Sequence, residues 1–179
     1  MENNNGKINY NEHPEFNTNA ILSSVADCIY EATHNENIYT SPINAGKSLP
    51  RFFVLEGGGN PVTEKETNET GYKKVFIDIV YEENYNLPNL YDEYRNMADK
   101  ISNAIYFNLK YVIRDKDNPD TIINTFPLDA HDVETTCGQT GMHCTFNLFL
   151  RTINKDYVES KKIKKIDWEV NEKDEKENN

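Results

Sequence analysis

The 179-residue chain is acidic and polar, with 30 acidic against 19 basic residues and a net charge of −11. Its mean hydropathy is −0.79 and its hydrophobic share is 37%. This charge argues against binding nucleic acid by neutralising phosphates, a mode that needs clustered Lys and Arg. The length predicts one ordinary domain with its own core plus about 25 residues of tail.

The start of the chain and its cysteines indicate where the protein is made. Residues 1–5 lack the basic start of an export signal and no apolar run follows them, so we expect no signal peptide. No stretch of about 18 apolar residues occurs, which predicts no membrane span. The spacing of the three cysteines is not typical of a disulfide framework. We therefore interpret Cys28, Cys137 and Cys144 as reduced thiols. We therefore expect synthesis in a cytoplasm and no membrane partner.

The N-terminal part predicts an arm followed by a helix. Residues 1–16 are polar and Asn-rich, with Pro14 breaking any helix, and are predicted to form an extended arm. A first helix is predicted with Thr18 as its N-cap, ending near residues 32–35. Its apolar stripe comprises Ile21, Leu22, Val25, Ala26, Ile29 and Tyr30.

The strongest strand and helix signals follow one another in the middle of the chain. Residues 51–56 predict a strand opening after a proline, and residues 62–70 the tip of a long hairpin. In residues 73–81 apolar side chains alternate so that one strand face is fully apolar. Residues 90–109 repeat apolar side chains every three or four positions and predict a long amphipathic helix. Such a helix needs a sheet to cover, so the pair predicts a layered domain.

The C-terminal part is interpreted as two more strands and a second arm. Residues 106–113 are predicted to lead from the helix end into a turn, and residues 121–126 to form a strand. Residues 129–141 are predicted to be a polar loop. Residues 143–153 predict the last strand, which closes the domain. The fold class expected is α+β: a mixed, mainly antiparallel sheet flanked by two helices, with a single domain over residues 17–154 and extended arms at both ends.

The charged C-terminal arm, residues 155–179, contains a short alternating segment. Ile166, Trp168 and Val170 alternate with Asp167 and Glu169. A tryptophan is costly to leave in water. The segment therefore either folds back on its own sheet or adds to a neighbouring chain.

Candidate chemistry is sparse. His131, Cys137, His143 and Cys144 are the residue types that bind zinc, but no Cys-x-x-Cys pair occurs, and His143 and Cys144 would point to opposite faces of a strand. Cys144 is expected to pack as a small hydrophobe. We predict no catalytic site, no cofactor and no metal, and keep a small metal-binding protein or enzyme as the less favoured alternative.

The order of these elements resembles the tail terminator, or tail-completion, family of tailed bacteriophages. Four stretches carry the resemblance: residues 49–56 (LPRFFVLE), 73–81 (KKVFIDIVY), 90–109 and 141–151 (GMHCTFNLFLR). It is a resemblance of pattern and order over about residues 18–154.

The resemblance implies a structural virion protein and no enzyme. Such a protein forms a ring, hexameric in this family, that caps the tail tube, joins it to the neck and head, and leaves a channel through which DNA passes without specific binding. Its implied partners are copies of itself, the tail tube protein and the neck connectors. A second possibility is another connector or adaptor of the same head-tail interface. The residues predicted at interfaces are Phe149, Ile153, Ile166, Trp168 and Val170.

Overall fold

The computed structural model describes residues 16–41, 48–57, 62–65, 67, 70–115 and 117–153, without the side chains of residues 62–64, 152 and 153. In these ranges the chain forms two α-helices and eight β-strands. They are α1 (Thr18–Thr33), β1 (Ile38–Tyr39), β2 (Arg51–Glu56), β3 (Val62–Lys65), β4 (Thr70–Glu82), α2 (Leu90–Asn108), β5 (Lys110–Arg114), β6 (Ile122–Pro127), β7 (Ala130–Cys137) and β8 (Met142–Ile153).

The main sheet is built around the antiparallel pair β4 and β8. Its strand order is β1-β2-β4-β8-β7, and β3 also pairs with β4. The first half of β4 pairs with β3 and the second half with β2, both antiparallel. Only β1 and β2 run parallel. β5 and β6 form a separate two-stranded antiparallel sheet. The predicted α+β class with a mixed, mainly antiparallel sheet is confirmed.

One hydrophobic core joins both helices to one face of the main sheet. Alternate residues of β4 (Val75, Ile77, Ile79, Tyr81) are buried, as the alternation predicted. From α2 the core takes Tyr94, Ala98, Ile101, Ala104 and Ile105. From β8 it takes Met142, Cys144, Phe146, Leu148 and Leu150. In the part of the chain that the structure describes, both helices therefore lie over this one face and neither lies over the other.

The first helix differs from its prediction at its N-terminus and along its stripe. Asn17, not Thr18, is the N-cap: its side chain accepts a hydrogen bond from the backbone amide of Asn19 at 2.8 Å. Both residue types cap helices well, so sequence could not rank them. Tyr30, predicted in the stripe, is 47% exposed, whereas Cys28 is buried.

Three segments predicted as turns or loops are strands. Residues 62–70 contain β3, which pairs with β4: Val62 lies opposite Lys74 at one end and Lys65 opposite Gly71 at the other. Within residues 106–113, α2 ends at Asn108 and β5 begins at Lys110. Within residues 129–141, β7 is an eight-residue strand on β8. β3 and β7 show little apolar alternation, the signal on which the predictions depended, and the apolar residues of β5 directly follow the helix.

The remaining predicted elements agree within a few residues. β2 has its predicted bounds, and α2, β4, β6 and β8 lie where helix or strand was predicted. The predicted arms, residues 1–16 and 155–179, lie almost wholly outside the described residues, as does residue 154, so their extent stays a prediction.

Candidate functional site

The candidate site is the face of the main sheet that the helices leave uncovered, which we call the outer face. Pairing puts side chains of neighbouring strands on one side of a sheet, alternating with those that face the core. The outer face therefore carries Arg51, Phe53, Leu55, Tyr72, Lys74, Phe76, Asp78, Val80, Glu82, His143, Thr145, Asn147, Phe149 and Arg151. It mixes large aromatic side chains with charges of both signs.

Phe149 lies at the centre of an aromatic and basic cluster on this face. Its ring centroid is 6.0 Å from that of Tyr72 and 5.1 Å from that of His131, both in edge-on geometry. The ammonium nitrogen of Lys74 is 5.6 Å from the same ring centroid. Arg151 is paired with Tyr72 on the adjacent strands. We call these five residues the Phe149 patch. Phe149 remains 44% exposed, so its neighbours leave nearly half of it open.

A bulge in β7 brings His131 to this patch. The register of β7 on β8 shifts between His131 and Glu134, and Asp132 has a φ of 55°. The Asp132 carboxylate accepts a hydrogen bond from the side-chain amide of Asn147 at 3.0 Å. Asp and Asn are the non-glycine residues that best tolerate this conformation. The bulge thus fixes the strand edge beside Phe149.

The other half of the outer face is held by an ion pair and by a hydrogen-bonding contact between His143 and Asp78. The guanidinium of Arg51 contacts the carboxylate of Glu82 at 2.6 Å and lies 5.2 Å from the ring centroid of Phe53. Nδ1 of His143 is 3.2 Å from both carboxylate oxygens of Asp78. This half therefore combines basic and acidic side chains. The Phe149 patch, in contrast, contains the two basic residues Lys74 and Arg151.

The cysteines and histidines considered as metal ligands do not converge. Cys144 is buried in the core, and His143 lies on the outer face, as their adjacency on a strand predicted. Cys137 is exposed at the end of β7. Burial raises the pKa of the Cys144 thiol to about 12, which keeps it protonated and unreactive. Among the described residues, no three His, Cys, Asp or Glu side chains are grouped to hold a metal ion.

Cys28 is a second buried thiol. Its Sγ donates a long hydrogen bond to the carbonyl of Ala104 at 3.5 Å, across the contact between the helices. Burial, reinforced by the nearby Glu31 carboxylate, raises its pKa to about 11. Cys28 and Cys144 therefore both act as packing residues.

A second exposed apolar surface lies on the small sheet and at the end of α2. β6 is almost fully exposed along its length, with Ile123 at 61% and Ile122 at 52%. At the end of α2, Phe107 is 73% exposed beside Tyr106. A two-stranded sheet is marginally stable by itself, and exposed aliphatic side chains on its free strand are typical of surfaces that meet another protein.

A groove lies between α1 and β5. It encloses about 340 Å³ and is lined by residues that include Ser23, Asp27, Val112 and Arg114. The Arg114 guanidinium contacts the Asp27 carboxylate at 2.7 Å across it. This ion pair ties the small sheet to α1, which is a structural role.

The predicted interface residues are placed as follows. Phe149 lies on the outer face, turned away from both helices. Ile153 is the last residue of β8 and pairs with Thr70, and its side chain lies outside the described residues. The segment with Ile166, Trp168 and Val170 also lies outside them. Sequence reasoning missed His131 as a neighbour of Phe149, because β7 was interpreted as a loop.

Comparison with family models and with curated protein sequences identifies no relative from which a function could be transferred. No family model matches the chain, and no curated protein sequence matches it significantly. In the described part of the chain, no helix has the length and apolar character needed to cross a membrane.

Proposed function

We propose that this chain is a structural subunit of a tailed-bacteriophage virion, a tail terminator or tail-completion protein. In this proposal copies of the chain form a ring, of six subunits by family resemblance, that caps the tail tube and joins it to the neck and head. The central channel lets DNA pass, and the ring is assembled in the host cytoplasm before it becomes part of the particle.

An assembly function is supported by the unequal covering of the two faces of the main sheet. Both helices lie on one face of the main sheet, while the outer face keeps the Phe149 patch exposed. The small sheet adds Ile122 and Ile123 on β6, which among the described residues pairs with β5 alone. Large exposed apolar side chains on a small domain are typical of surfaces that contact other proteins. We assign the Ile122–Ile123 strand to contacts between subunits.

The charge of the chain fits a DNA conduit. A net charge of −11 repels the phosphate backbone, so DNA would slide past the subunits without adhering to them. The same charge also repels one subunit from another, so a ring must gain its stability from apolar contacts such as those on β6. Rings of this protein should therefore be favoured by salt, which screens the repulsion.

A connector or adaptor subunit of the same head-tail interface is the alternative within this class, and it differs only in its neighbours. A metal-binding protein or enzyme is disfavoured by the separation of His143 and Cys144 on opposite faces of β8.

The test is the mass of the purified full chain by light scattering, alone and with added tail tube protein, with metal assayed on the same sample. A ring-sized particle, or a metal-free monomer that forms rings with the tube protein, supports the proposal. A metal-bearing monomer that ignores the tube protein contradicts it. A ring that binds neck protein but not the tube selects the adaptor role.

A further inference from the structure

We propose that the segment from Ile166 to Val170 docks on the outer face of its own chain, across the Phe149 patch. This contact would lie within one molecule. It therefore does not depend on the proposed virion function, and each can fail without the other.

The ring of Phe149 is the apolar centre of the patch, and the described residues cover it only in part, with the Lys74 ammonium 5.6 Å from its centroid. The ring of Phe149 is 44% exposed, and the rings of Tyr72 and His131 stand edge-on to it on either side. Edge-on neighbours leave a shallow surface on which another aromatic ring can pack in the same geometry. Trp168 is the only tryptophan of the chain and supplies such a ring.

Apolar and acidic side chains alternate in the segment, which is typical of an extended chain that packs against a protein surface. In an extended conformation Ile166, Trp168 and Val170 share one side, and Asp167 and Glu169 point to the other. The apolar side would face the patch. β8 pairs with β4 along its whole length, and with β7 from Met142 to Leu148. We place the segment on the sheet face because its apolar side chains match the exposed ring of Phe149 there.

Charge favours the same pairing. Lys74 and Arg151 make the patch basic, on a chain whose net charge is −11. From position 166 to the end, the chain carries six acidic and two basic residues, whereas four of the five residues before Ile166 are lysines. The contact would therefore place the acidic part of the arm toward Lys74 and Arg151, and the lysines away from them. The acidic side chains would lie around the rim of the contact, within reach of the long Lys and Arg side chains. Such rim charges orient a contact more than they strengthen it.

The length of chain allows this return. β8 ends at Ile153, four residues after Phe149, which is about 13 Å along a strand. Twelve residues, 154–165, separate β8 from the segment and can span up to about 40 Å when extended. A short link of this kind gives the segment an effective concentration near its own patch in the millimolar range. The same segment of a second copy would reach a comparable concentration near the patch only in a very concentrated protein solution.

The experiment uses the fluorescence of Trp168 in the full chain, diluted until light scattering shows a monomer. We expect blue-shifted emission and slow quenching by acrylamide. Phe149→Ala and, separately, Lys74→Glu should move emission and quenching toward the values of the urea-unfolded chain. Both positions are exposed, so the domain should stay folded, which far-UV circular dichroism checks. Phe107→Ala removes an aromatic ring that is even more exposed, 73% against 44% for Phe149, from the end of α2 and should leave Trp168 unchanged.

Three results would overturn the inference. The first is a Trp168 that is as open to acrylamide in the wild-type monomer as in urea. The second is protection that survives both patch variants. The third is protection that appears only as concentration rises, which would assign the patch to the segment of a second copy. A monomer with protected Trp168 that never forms rings would support this inference and count against the virion function.

Discussion

The buried hydroxyl of Ser24 on α1 accepts a hydrogen bond from the backbone amide of Val112 on β5 at 2.9 Å and donates one to the carbonyl of Ala20 at 2.8 Å. This hydroxyl joins the small sheet to the first helix, together with the Arg114–Asp27 ion pair. These polar contacts, together with the burial of Tyr111 in the core, hold the β5–β6 sheet and its exposed strand against α1.

Ser24→Ala should therefore destabilise the domain by about 1–3 kcal/mol, because the amide of Val112 loses its partner. Ser23→Ala is the matched control: Ser23 is exposed on the same helix, and alanine there should stabilise slightly through helix propensity. Urea unfolding of both variants measures the difference. Equal free energies of unfolding for the two variants would contradict the role given to Ser24.

Two adjacent residues of β8 should respond very differently to truncation. Leu148 is fully buried in the core, and Leu148→Ala should cost about 2–5 kcal/mol through lost burial and a cavity. Phe149→Ala removes a side chain from the opposite, exposed face and should cost about 1 kcal/mol or less. Thermal or urea unfolding checks the pair. If Phe149 proved the costlier residue, the register of β8 would be wrong.

The buried thiols predict a loss of stability at alkaline pH. Thiols of the unfolded chain ionise near their ordinary pKa of 9.0, whereas burial raises the pKa of Cys28 to about 11 and that of Cys144 to about 12. The contribution of the two protonated thiols to the free energy of unfolding is complete below pH 9. It declines as the pH rises toward 11 for Cys28 and 12 for Cys144. Each such thiol should lower the free energy of unfolding by about 1.4 kcal/mol per pH unit within that window.

The measurement is urea unfolding at several values between pH 8 and pH 11. A variant with both Cys28→Ala and Cys144→Ala should show a shallower decline than the wild type, although it is less stable at pH 8. Cys137→Ala should keep the wild-type slope, because that thiol is exposed. Parallel curves for all three proteins would show that the buried thiols do not control the decline.

The exposed strand β6 should be needed for assembly and not for folding. Ile123→Asp places a charge on a side chain that is 61% exposed, so melting temperature and circular dichroism should change little. In the proposed ring the same charge would be buried in a subunit contact, and the ring-sized particle should disappear from light scattering. Thr136→Asp, an exposed position on β7, is the control. Rings that survive Ile123→Asp would exclude β6 from the subunit contact.

The candidate site was only partly predictable. The alternation of buried Leu148 and Leu150 with Phe149 was visible in the sequence, and it correctly left Phe149 on the less apolar side of its strand. Its neighbours Tyr72 and His131 were not visible, because they come from strands paired across the sheet. Pairing register depends on long-range contacts that a local pattern does not contain.

The sequence by itself determined the centre of the fold. β4, β8 and α2 bury one regular face, so their apolar side chains repeat with the period of a strand or helix and could be read directly. Only the tertiary structure decided the edges. β3 and β7 are largely polar and gain their strand conformation from backbone pairing with a partner strand, which leaves little periodic apolar signal. β5 (KYVIR) is apolar at its centre, but it follows α2 directly, so its apolar residues could not be separated from the end of the helix by pattern. The structure also decided that both helices share one face, and this left Phe149 exposed on the other.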